Sequence, residues 1–193
     1  MYNVCGQAKA AGGGRRFVGL FSGQPPPAIR SSESESRSIG AVQMSEADDD
    51  SEFRVPYPLE LIIEQTPVSA QTTNGTAKEV WKKTVGRCAQ DRINALRDQY
   101  FLDERALMAT IYYFPPVPMM GDVDNIVKPI LDGMIAVAYP DDKYIEKVVV
   151  QKFEPDVSWL FSSPSPTLDT AINMDKPILY IRLEDDLVWR QVP

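Results

Sequence analysis

From residue 55 onward, runs of apolar residues alternate between the two-residue period of a strand and the longer period of a helix. LELIIE at Leu59–Glu64 is a short β-rich run, with Pro56 and Pro58 before it and Pro67 after it, and predicts a strand. Residues 75–98 predict a helix, because Val80, Trp81, Thr84, Val85, Cys88, Ile93 and Leu96 recur at helical spacing. ALMATIYYF at Ala106–Phe114 predicts a second strand, ended by Pro115, Pro116 and Pro118. A second helix is expected over 124–138, with Ile126, Ile130, Met134 and Val137 as its apolar face. Pro129 inside it has no N–H and crowds the preceding turn, so a backbone carbonyl near Asn125 is expected to be left over.

YIEKVVVQKF at Tyr144–Phe153 predicts a third strand. A loop and a short helix starting near Ser165 or Thr167 follow, then a fourth strand at Pro177–Glu184. The order β-α-β-α-β-α-β describes one small α/β sandwich of the α+β kind built on a mixed sheet. It assigns residues 54–193 to a folded domain and residues 1–53 to a tail. Within that tail, residues 1–43 hold seven of the eleven glycines, three consecutive prolines and the run SSESESRS. Such a segment buries too little apolar surface to offset its ordering entropy and is expected to be disordered. Met44 is then a candidate natural start, with residues 1–43 an extension; a basic transit peptide is the alternative.

Composition narrows the chemistry. The chain has no histidine, which excludes Ser-His-Asp and Cys-His catalysis, histidine-ligated zinc and a histidine general base. Its two cysteines, Cys5 and Cys88, form no zinc spacing and no disulfide framework, and a reduced, cytoplasmic setting is expected. No apolar run approaches the roughly 20 residues of a membrane span. The net charge of −7 sits poorly with phosphate binding, which draws on Lys and Arg. The charge is uneven, however: the first 43 residues carry +3 and the remainder −10. The main basic surface of the folded part is the 75–98 helix, with Lys78, Lys82, Lys83 and Arg87 as candidate phosphate contacts.

The densest chemistry lies in GDVDNIVKPILDGMIAVAYPDDKYIEK, residues 121–147, which holds six carboxylates. Asp122 and Asp124 are two apart, and in an extended segment such side chains share a face and can reach one cation. Asp124 or Asn125 can also cap the following helix. Asp124, Lys128 and Asp132 step by four and share a helix face. Asp141 and Asp142 lie in the loop before the third strand. Gathered carboxylates repel one another, and hard oxygen donors suit Mg²⁺. Lys128 is placed to stabilise charge on a phosphate in the transition state. A lone D-x-D or D-D is usually a cap or a turn, and Asp132 alone is more often the partner of Lys128 than a ligand; the combination is what carries the signal.

The run D-V-D-N-I-V-K-P-I-L-D-G followed by Y-P-D-D-K-Y-I resembles the RusA family of crossover junction endodeoxyribonucleases. TPVSAQ at Thr66–Gln71, the KEVWKK helix start and the closing SPSPTL…KPILYIRLE extend the resemblance over about residues 56–185. The resemblance implies a RusA-like fold and a homodimer that cuts four-way DNA junctions in recombination and repair. It implies Mg²⁺, with Mn²⁺ an alternative, and no membrane partner. It also implies that Asp122, Asp124 and Asp142 are the metal-binding catalytic carboxylates, Lys128 the catalytic lysine and Asp141 a helper. One departure stands out: the stretch before Asp122 is P-V-P-M-M-G, without the basic run of the best-known members. Two alternatives stay open, a family member that binds DNA without cutting it and a D-x-D nucleotide-sugar transferase. The absence of a visible nucleotide-binding half counts against the transferase.

Overall fold

The structure, a computed structural model, describes residues 53–187, so the expected disordered tail and Cys5 lie outside the described residues. The predicted element order is the observed one. The strands are β1 (Leu59–Ile63), β2 (Leu107–Phe114), β3 (Ile145–Lys152) and β4 (Ile178–Glu184). The helices are α1 (Gly75–Asn94), α2 (Val127–Met134) and α3 (Pro166–Asn173). They make a small α+β domain on one mixed sheet of order β1-β4-β2-β3. β4 pairs antiparallel with β1 and β2, and β2 pairs parallel with β3. A parallel neighbour needs a crossover, and α2 with its flanking turns supplies it.

The two-residue period of the strands sorts the core into two layers. Leu59, Leu61, Ile63, Leu107, Ala109, Ile111, Leu179, Ile181 and Leu183 pack beneath α1 and α2. Ile62, Phe114, Ile178 and Tyr180 face the other way, toward Phe153 and the α3 residues Leu168 and Ala171. α1 starts on Asn74, whose side chain accepts from the Ala77 N–H at 3.1 Å. α3 starts on Ser165, which accepts from the Leu168 N–H at 3.1 Å. The two starting points proposed for that helix thus resolve to the first.

Several expectations need correction. Val80 and Leu96, assigned to the buried stripe of the first helix, are exposed. The buried stripe is Trp81, Val85, Gly86, Cys88, Ala89 and Ile93; Val80 falls beside it, and Leu96 lies past the helix end at Asn94. Cys88 is buried within this stripe.

The helix expected over 124–138 is broken at both ends. Its start is a 3-10 turn, Val123–Ile126, and α2 proper covers Val127–Met134. Pro129 cannot donate to the carbonyl four residues back, which is that of Asn125. The freed Asn125 carbonyl accepts the Ala70 N–H at 2.7 Å and ties the Thr66–Gln71 segment to the turn. After Met134 the chain reverses through Ala136 at φ 60°, and the Ala136 N–H donates to the Tyr139 carbonyl at 2.8 Å. Val137 therefore belongs to a loop.

Candidate active site

The β2–α2–β3 crossover carries the acidic motif. Asp122 ends the loop that leaves β2, in extended backbone (φ −78°, ψ 137°), and its carbonyl accepts the Asn125 N–H at 3.2 Å. Asp124 is already inside the 3-10 turn, so the alternation of an extended chain does not govern the pair as the sequence suggests. Both residues are exposed. The turn that carries them packs against β3 and is held from the other side by Ala70.

Lys128 stands in the first turn of α2 and is exposed. Its ammonium meets Asp132 Oδ1 at 2.7 Å, one helical turn on, and also donates to Asp142 Oδ2. Lys128 and Asp142 are thus brought together across the crossover. Hydrogen bonds that it donates to Asp132 first and Asp142 second push the Lys128 ammonium above the ordinary lysine range, so it stays charged. Partial burial favours the neutral form of Asp132, but its bonds from Lys128 and Lys82 outweigh that and hold its carboxyl below the usual range.

Three tyrosines fix the loop that delivers Asp142. Tyr139, fully buried, donates to the Leu131 carbonyl at 2.7 Å. Tyr57 donates to the Ala138 carbonyl at 2.6 Å, and Tyr100 to the Val137 carbonyl at 3.3 Å. Burial raises the Tyr139 and Tyr57 hydroxyls well above the ordinary tyrosine value, so both remain protonated donors. No local signal marks Tyr57 or Tyr100 for this work; only Tyr139, directly before Pro140 and Asp141, stands inside the motif. Asp141 caps the 3-10 turn Asp142–Tyr144 by accepting the Lys143 N–H at 2.9 Å.

The basic face of α1 is divided. Lys78 donates to the Ala70 carbonyl at 2.8 Å and so braces the segment beside the 3-10 turn. Lys82 reaches across to Asp132 Oδ2 at 3.0 Å. Lys83 and Arg87 are exposed and line an open groove between α1 and α2, with Gly86 and Gly133 at its floor.

Family model and chain coincide over this segment: the model for Endodeoxyribonuclease RusA matches residues 66–158. That segment is a RusA-family domain. The match contains Asp122, Asp124, Lys128, Asp132, Asp141 and Asp142, together with α1 and the crossover. β1, α3 and β4 lie outside it. No curated protein matches the chain. RusA-family proteins are Holliday junction resolvase-like endonucleases that act on branched DNA and are generally metal-dependent.

The donor set here is carboxylate oxygen, which fits a hard divalent ion in kind. It does not fit in arrangement: among the described residues no three acidic side chains are gathered closely enough to hold one. Asp142 is instead held by the Lys128 ammonium.

Proposed function

We propose that this RusA-family protein is a structure-selective endonuclease that hydrolyses phosphodiester bonds in four-way DNA junctions, in recombination and repair. Asp122, Asp124, Asp142 and Lys128 are its catalytic residues, and it works as a homodimer. The single observation that carries this proposal is the meeting of Lys128 and Asp142 across the β2–α2–β3 crossover, inside the segment that matches the family. A capping or surface role for either residue needs no such meeting.

Asp122, Asp124 and Asp142, once drawn together, are the oxygen donors that would hold Mg²⁺, with Mn²⁺ the alternative and Asp141 a helper. Such an ion, when bound, activates water and screens phosphate charge. Lys128 occupies Oδ2 of Asp142, and that oxygen becomes available to a ligand when the ammonium leaves it. The released ammonium then has a phosphate oxygen as its natural partner, where it stabilises the charge that develops during hydrolysis. Lys83 and Arg87 supply phosphate contacts along the groove, and Lys78 and Lys82 add positive potential behind them. A C2 dimer presents two identical sites to the two symmetry-related strands of a junction.

Incubating the full chain with a synthetic four-way junction, a linear duplex and each metal in turn tests this directly. Paired incisions on the junction, dependent on Mg²⁺ or Mn²⁺ and absent from the duplex, are expected. Binding of the junction without incision under every metal condition would instead establish a non-catalytic DNA-binding member.

A further inference from the structure

Lys82 and Lys128 share one carboxylate. Asp132 gives Oδ2 to Lys82 at 3.0 Å and Oδ1 to Lys128 at 2.7 Å, so each oxygen has its own ammonium. Lys82 belongs to α1, whereas Asp132 and Lys128 belong to α2. The two helices are in close contact one residue away from Asp132. A Cβ on Gly133 would meet the Lys82 carbonyl at 2.8 Å, and one on Gly86 would meet the Gly133 carbonyl at 2.7 Å. Only glycine permits that approach, and it brings α1 close enough to α2 for Lys82 to reach Asp132. Exposure falls from 61% at the Lys128 side chain to 31% at Lys82 and 20% at Asp132. The anchored end of the chain is therefore the Asp132 end.

We infer that Asp132 is a positioning residue for the nuclease reaction: locked by Lys82, it keeps the Lys128 ammonium at the site whenever that ammonium is off Asp142. This rests on the proposed function for its catalytic consequence, but its structural core does not. A lysine tied to Asp142 alone would have two states, blocking that carboxylate or ranging through solvent. The second carboxylate gives Lys128 a place within reach of both Asp142 and an incoming phosphate. It also retains the orientation that would otherwise be lost as side-chain entropy. Asp132 itself touches neither substrate nor metal in this scheme, and because Lys82 neutralises it, it does not repel phosphate.

Two measurements test the inference separately from the nuclease assignment. In metal-free Asp142→Asn protein, the Lys128 ammonium should still give a protected ¹H–¹⁵Nζ NMR signal, because Asp132 holds it. Adding Asp132→Asn should lose that signal to exchange with water, and adding Lys82→Gln should broaden it. In the cleavage assay, Asp132→Asn should lower kcat by about ten-fold or more with KM and junction affinity unchanged, because only orientation is lost. Asp132→Glu should recover part of the rate, and in a Lys128→Ala background Asp132→Asn should cost nothing further. Should Asp132→Asn not fold, Lys82→Gln on the helix surface supplies the same comparison, with Asp175→Asn, exposed after α3, as control. A signal already lost in Asp142→Asn, or one unchanged in the double variant, overturns the inference. So does an Asp132→Asn rate equal to wild type, or a loss of equal size with and without Lys128. A wild-type chain that cuts no junction sinks the proposed function alone, and the NMR signals then decide this inference by themselves.

Discussion

Two ionic clusters sit on opposite faces of the sheet, built from similar charges and closed to very different degrees. On the α3 face, Glu60 of β1 stands directly opposite Arg182 of β4 in the strand register. Glu60 accepts from Ser165, Tyr180 and, at 3.3 Å, Arg182, which also forks onto Glu184 at 2.8 and 2.9 Å. Three donors converge on one Glu60 oxygen, and the Glu60 side chain is only 12% exposed. On the other face, Lys128 bridges two carboxylates with an ammonium that is open to solvent. The arginine fork is planar and matched to its carboxylates, whereas a lysine ammonium is a compact charge on a flexible stem. The first arrangement cross-links β1, β4 and the start of α3. The second can hand its cation to another anion without breaking the fold.

The sharpest way to break the comparison is to neutralise each cluster and read both stability and cleavage. Asp122→Asn, Asp124→Asn and Lys128→Ala should each lower junction cleavage by about 100-fold or more, because each removes transition-state stabilisation. Their urea midpoints should stay near wild type. Normal cleavage in both Asp122→Asn and Asp124→Asn would place the active site elsewhere.

Gly133→Ala should strike both properties at once. Its new Cβ falls 2.8 Å from the Lys82 carbonyl and 2.9 Å from the Val85 Cβ. Such overpacking costs about 1–3 kcal/mol, and prising the helices apart should lengthen the Lys82–Asp132 contact. Urea unfolding at wild-type stability would show that the helix contact is softer than its geometry implies.

Glu60→Gln should do the reverse of the active-site changes. Leaving Arg182 and the two hydroxyls with a poorer partner should cost about 1–3 kcal/mol of stability with cleavage intact. Burial works against the ionised Glu60, yet hydrogen bonds from Ser165 and Tyr180 and the Arg182 charge leave its carboxyl lowered. A lowered carboxyl contributes stability at neutral pH that is lost as pH falls through its folded value. The gap between wild type and Glu60→Gln should therefore narrow on acidification, below the ordinary glutamate range. A gap that widens toward acid would contradict the assignment.

The smallest effects are expected on the groove. Lys83→Gln and Arg87→Gln should each weaken junction binding a few-fold and reduce the slope of log affinity against log salt by about one. Both should leave kcat alone, in contrast with Lys82→Gln. An unchanged salt slope would remove the groove from the DNA surface.

Part of the local geometry of the candidate site was legible in the chain. The D-x-D-N-x-x-K run, the D-D pair and the proline that frees a carbonyl are local features, and their consequences are local. The orphan carbonyl at Asn125 follows from the missing N–H of Pro129, although its partner, Ala70, does not. Helix ends were less legible. Val80 and Leu96 fit a helical period yet lie outside the buried stripe, because periodicity marks a face without saying which part of it a neighbour covers. Val137 fits the same period but falls beyond a chain reversal at Ala136.

The order of elements, the place of the acidic motif between β2 and β3, and the kinds of atoms available for chemistry are written along the chain. Those follow from side-chain period, from proline and capping rules, and from the absence of histidine, all of which act over a few residues. Long-range packing places β4 between β1 and β2, and sets Tyr57 and Tyr100 on the loop before Asp142. It alone decided that Lys82 reaches Asp132 and that Lys128 rests on Asp142. An ion pair between two helices depends on their separation, and here two glycines far apart in the chain allow the close approach.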